Sequence, residues 1–151
     1  MDAKTLFHHW SNVRQGLVQA IDQLSVEQLD FRPREGLWSL RETVCHIAGT
    51  ENSWFRCYVT HEFNSWEEAD FHPEDYPTPQ ALKALLADVH RHIVALYAEE
   101  GDKKFAQLAT MPWGPQVSQE WVVWHVLEHE IHHRGEVYLM LGLLGMEAPD
   151  V

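Results

Sequence analysis

The amino-acid sequence predicts an all-α chain folded as a four-helix bundle. Three observations point there. Four apolar stripes recur at helical spacing, helix-start signals precede three of them, and long aperiodic connections separate them. In the first helix, residues 2–23, Leu6, Trp10, Val13, Leu17, Ile21 and Leu24 follow one another at intervals of three and four and form a single stripe. Ser25, Val26, Glu27 and Gln28 can cap one further turn, and the run Arg32-Pro33-Arg34-Glu35-Gly36 breaks regular structure. Ser39 and Glu42 have the spacing of a capping box, so a second helix is expected over residues 40–60.

Residues 61–78 carry Pro73, Pro77, acids and aromatics without a period, a long connection that is expected to pack as a crossover or to cover a site. Thr78 followed by Pro79 starts a third helix whose stripe is Leu82, Leu85, Leu86, Val89, Ile93 and Leu96, ending before Gly101. A second long connection contains Met111-Pro112-Trp113-Gly114-Pro115, and Ser118 then caps a fourth helix reaching about residue 144.

With 151 residues, 45% of them hydrophobic, 23% charged and seven tryptophan, the chain is expected to form one domain over residues 1–151. A formal charge of −12 leaves no basic face to displace counterions from a phosphate backbone, which argues against nucleic acid and anionic membranes as partners. No apolar run approaches the roughly 20 residues of a membrane span, and no secretory signal is recognisable, so a cytoplasmic protein is expected. Cys45 and Cys57 lie 12 positions apart in one predicted helix, or about 18 Å at the helical rise, too far for a disulfide.

The chemistry gathers on the fourth helix, where His125, His129, His132 and His133 occupy nine consecutive positions. With His129 as origin, His125 falls at about −40°, His133 at about +40° and Glu136 at about −20°, beside an apolar stripe centred near +80°. Imidazoles one turn apart can share one ion, since their Cβ atoms lie about 5–6 Å apart. His125 and His133 cannot both join His129 around it, being about 12 Å apart along the axis, so a further ligand must come from another helix. His46 is the leading candidate, on a second-helix face it shares with Gly49, Thr50, Ser53 and Cys57. Glu128, Glu130 and Glu136 are within reach to orient a ligating imidazole. The alternative is a polar helix edge with solvated histidines.

Two readings compete for this segment. His129-Glu130-Ile131-His132-His133 satisfies the pattern H-E-x-x-H of zinc peptidases, but no histidine follows His133 to complete such a site. The chain also resembles the DinB superfamily, the DinB/YfiT-like metalloenzymes. The resemblance rests on Trp38-Ser39-Leu40-Arg41-Glu42 leading to His46, and on His125, His129, His132-His133-Arg134-Gly135 of the fourth helix. It implies a four-helix bundle with a long crossover connection, often homodimeric, and a metal triad of His46, His129 and His133 with His125 outside it. Glu136 stands where many relatives have glutamine.

The resemblance further implies a divalent metal ion, zinc or nickel, with iron or copper as alternatives. It points to a small-molecule substrate and to a transferase or isomerase using a low-molecular-weight thiol such as bacillithiol, mycothiol or glutathione. The competing functional reading is a nonenzymatic stress-response bundle in which the ion braces two helices.

Overall fold

A computed structural model describes residues 1–151. Its four long helices are α1 (Ala3–Asp22), α2 (Leu40–Tyr58), α4 (Pro79–Leu96) and α6 (Gln119–Leu143), with short helices α3 (Trp66–Ala69) and α5 (Gly101–Phe105) between them. The start signals act as the sequence implies. Ser39 and Glu42 close a reciprocal capping box at α2, with Glu42 N–H donating to Ser39 Oγ at 3.2 Å and Ser39 N–H to Glu42 Oε2 at 2.6 Å. Thr78 and Ser118 each accept a backbone N–H at 3.1 Å from three residues on.

Both α1 and α2 pack against α4 and α6, so the connections from α1 to α2 and from α4 to α6 carry the chain across the bundle, whereas residues 61–78 join the neighbouring helices α2 and α4 and are not the crossover. No helix is long and apolar enough to cross a membrane.

The connections hold more structure than expected. Residues 61–78 contain α3 and a 3-10 turn at Pro73–Asp75, and they pack on the small-residue face of α2. Asn52 Nδ2 donates to the Ala69 carbonyl at 2.7 Å and Cys57 Sγ to the Ser65 carbonyl at 3.4 Å. At Gly49 a Cβ would stand 2.5 Å from Asp70 Oδ1, so a larger residue there would push the Asp70 side chain aside. The α4 stripe ends at Leu96, and α5 follows a left-handed Glu100. The second connection forms a small antiparallel hairpin, β1 (Leu108–Thr110) and β2 (Gln116–Ser118), with Ala109 opposite Val117. Three-residue strands are too short to show a period, which is why only a loop is predicted there.

The core divides into two apolar clusters. One includes Leu17, Ile21, Leu40, Val44, Leu86 and Leu141; the other includes Leu6, Trp10, Phe55, Ile93, Val126 and Leu127. Each long helix contributes one side chain to a polar layer that lies in sequence between the two clusters: Arg14 from α1, Glu51 from α2, His90 from α4 and Glu130 from α6. Arg14 bonds both carboxylates, with Nε to Glu130 Oε1 at 2.6 Å, Nη2 to Glu130 Oε2 and to Glu51 Oε2, each at 2.7 Å, and Nη1 to the Leu86 carbonyl at 2.9 Å. Trp10 Nε1 donates to Glu130 at 2.5 Å, and His90 Nδ1 donates to Glu51 Oε1 at 2.8 Å. Burial works against ionising Glu51, but Arg14 and His90 outweigh it and hold the carboxyl below its ordinary range.

Such a layer is costly to break, because removing one partner leaves a buried charge without compensation. Arg14→Met is therefore expected to destabilise the fold by about 3–5 kcal/mol in urea unfolding; a loss under about 1 kcal/mol would contradict a charged buried layer.

Candidate metal centre

Two helix faces build the site. The 3.6-residue period of α6 puts His129 and His133 on one side, one turn apart, with ring centroids separated by 4.4 Å. From α2 His46 meets them, its centroid 4.8 Å from each. The Nε2 atoms of His46 and His129 approach to 2.9 Å, and one ring nitrogen from each of the three histidines falls within a common span of 4.8 Å. Thr50, one turn after His46, brings its hydroxyl to 3.4 Å from His129 Nε2.

The start of α2 supplies a fourth wall. Trp38, immediately before the capping serine, lies with its ring centroid 4.4 Å from that of His46 and 5.9 Å from that of His133. Glu136 fixes the third imidazole. Its Oε2 stands 2.7 Å from His133 Nδ1, and because an ionised carboxylate only accepts, Nδ1 is the donor, which in the neutral ring leaves Nε2 as the nitrogen that can ligate. His129 Nδ1 is buried without a partner.

Electrostatics favour the ligating form. Burial pushes the His129 imidazole down to about 3, and the neighbouring His133 and His46 add to the effect. Burial, then His133, also lowers His46, against partial opposition from Asp70 and Glu136. Neutral imidazoles are the metal-binding species. Nitrogens at about 2.0–2.1 Å from one ion are separated by roughly 2.9 Å at a right angle and 3.4 Å in a tetrahedron, so the approach of His46 to His129 fits a shared ion. The set can hold a divalent metal ion.

The other candidates go elsewhere. His125 stacks on Trp121 at 4.8 Å and edges onto Trp54 at 4.7 Å, in an aromatic cluster outside the trio. His132 is exposed, with Nε2 3.3 Å from Glu136 Oε1. Of the three glutamates expected to orient imidazoles, only Glu136 does so. Glu128 is exposed, and Glu130 is 1% exposed and committed to Arg14 and Trp10 in the core. That commitment removes the base an H-E-x-x-H peptidase would need. Cys45 is buried, its thiol pushed up to about 12 by burial, and burial with Glu68 also raises Cys57. Neither provides a thiolate near neutral pH.

Beside the trio opens a cleft of about 420 Å³ whose walls include Leu37, Trp38, Thr43, Glu136, Leu139 and Met140. Trp38 and Glu136 belong to both the cleft and the histidine cluster. Thr50 and Trp38 touch the histidines without being expected to from the sequence. The spacing of four from His46 was the available sign for Thr50, and for Trp38 its place ahead of the capping box.

Known proteins share this fold. The family model described as DinB family matches residues 1–151. The Bacillus subtilis (strain 168) protein YizA is 27% identical over 117 residues, which cover 76% of this chain and 70% of that protein. A DinB-like protein from Bacillus cereus ATCC 10987 superposes with a TM-score of 0.73 at 22% identity, covering 99% of this chain and 97% of its own. YfiT from Bacillus subtilis, described as a probable metal-dependent hydrolase with an unusual four-helix bundle topology, gives 0.74 at 22% identity, covering 95% of this chain and 88% of its own.

The burial of His129 has a direct spectroscopic consequence. In metal-free protein its imidazole is expected to stay neutral until the pH falls toward about 3, read by long-range nitrogen NMR of the ring; protonation near the ordinary 6.5 would contradict the buried, crowded geometry.

Proposed function

The chain belongs to the DinB family, and from the site that α2 and α6 build we propose a divalent-metal-dependent enzyme. In this reading His46, His129 and His133 hold the ion, and a low-molecular-weight thiol attacks a small-molecule substrate. The observation that carries it is the convergence of three histidines next to a cleft that shares Trp38 and Glu136 with them. When bound, an ion with three imidazole ligands supplies a Lewis-acid centre with a free position and lowers the pKa of a thiol or water that it takes up.

The chain's own residues do the rest. Glu136 holds the His133 ring with its Nδ1 protonated, which orients the opposite nitrogen. Thr50 offers a hydroxyl beside His129, and the Trp38 ring covers His46 and limits water there. Cys45 and Cys57 are buried and held protonated, so the nucleophile comes from solution. Zinc or nickel suits three imidazoles, and iron or copper remains compatible with the same donors. The apolar clusters that close around Arg14 also support reading residues 1–151 as one domain.

A second reading has a specific motive: YfiT, similar in fold, is described as a probable metal-dependent hydrolase. Water would then replace the thiol on the same scaffold. A purely structural ion fits less well, because both core clusters form away from the trio and a bracing site is ordinarily closed.

Metal content decides the first step. The untagged chain is expected to bind one equivalent, and His46→Ala or His129→Ala to lose it by elemental analysis while helical content persists; full retention by either variant would sink the triad. Metal-loaded protein is then expected to accelerate conjugation of a small thiol to an electrophile panel. Acceleration of ester or amide hydrolysis instead would favour the second reading, and acceleration of neither would overturn the enzymatic one.

A further inference from the structure

Among the surfaces around the histidine cluster, the cleft is unusual in its chemistry. Leu37, Trp38 and Leu139 line it while 43%, 47% and 63% exposed, so large apolar side chains are left in water where the bundle does not need them. Met140, from the same turn of α6 as Leu139, belongs to the core cluster and forms the inner wall. Leu143, one turn beyond Leu139, is exposed as well and prolongs the apolar edge.

No lysine or arginine lines this space, and its one charged wall residue is Glu136. Arg32, in the neighbouring loop, is already engaged, donating to the Leu37 carbonyl at 2.6 Å and lying 3.2 Å from Glu42. With a chain charge of −12, an anionic group entering here would lose water and meet a carboxylate with no cation on the wall itself; Arg34, between the lining Pro33 and Gly36, is exposed to solvent and is not a wall residue. An apolar group would cover Leu37, Trp38 and Leu139 and gain from leaving water.

We infer that the molecule attacked at this site is uncharged or cationic and carries an apolar portion that lies in the cleft over Leu37, Trp38 and Leu139. This rests on the metal-dependent reading above. Trp38 and Glu136 are walls of the cleft and also touch the histidines, so a small molecule reacting at the cluster can lay an apolar tail in the cleft next to it. The thiol, if anionic, approaches from another side.

Hydroxamates separate the two claims, because their head group binds an accessible metal whatever the tail. On the zinc-loaded full chain, calorimetry would compare acetohydroxamate, hexanohydroxamate and a six-carbon hydroxamate ending in a carboxylate. Each sheltered methylene contributes about two- to fourfold in affinity, so hexanohydroxamate is expected to bind at least about tenfold tighter than acetohydroxamate. The carboxylate-ended tail is expected to gain nothing.

Leu139→Glu is expected to bring the ratio of the first two affinities close to one. Equal affinity for all three probes, or tightest binding of the carboxylate-ended one, would overturn the inference while leaving the metal site standing. Failure of acetohydroxamate to bind zinc-loaded protein would instead remove the accessible metal, and this inference with it. If Leu139→Glu converts a dimer to a monomer in sedimentation, a second copy covers the face and the inference is likewise overturned.

Discussion

Everything on the histidine face depends on the spacing between α2 and α6, and one buried guanidinium spans the two. Arg14 reaches from α1 to Glu51 of α2 and Glu130 of α6, both 1% exposed. These are the immediate neighbours of Thr50 and His129, which meet on the cluster side. A charge between two buried carboxylates tolerates little displacement, because any lengthening exposes uncompensated charge to a low-dielectric interior. The polar layer and the histidine cluster are thus two sides of one helix pair, the first closed around Arg14, the second open.

That openness gives the site its chemical character. His133 is fixed through Glu136, His46 is covered by Trp38, and His129 is pushed down by burial to about 3, with a buried Nδ1 that has no partner. The three imidazoles therefore differ in support although they share a donor type. Glu136 also faces His132 and the cleft, so one carboxylate links imidazole orientation to the surface where a substrate would lie.

Much of this was legible in the sequence. Caps and stripes placed the long helices, because each signal is local and the period of an amphipathic helix survives packing. Helical spacing let His129 pair with either His125 or His133, and the resemblance to known proteins pointed to His133. His46 needed more, since the approach of α2 to α6 is set by side chains far apart in sequence, and a resemblance to known proteins singled it out.

Glu130 departs from the role expected beside the histidines. It lies about 100° around α6 from His129, in the middle of the apolar stripe, a position that calls for a buried partner instead of a role beside the histidines. Glu51 falls inside the α2 stripe in the same way. A charged residue inside a core stripe was the sign of the buried layer, and Arg14 at the edge of the α1 stripe was its counterpart. The hairpin before α6 left no such mark.

X-ray absorption of the metal-loaded chain tests the central claim most directly. Three nitrogen neighbours at about 2.0–2.1 Å with the multiple-scattering pattern of imidazole, and remaining positions that accept sulfur when a small thiol is added, are expected for an open three-histidine centre. A spectrum with two or fewer imidazoles, with sulfur before any thiol is added, or with a shell unchanged by every small ligand would contradict it.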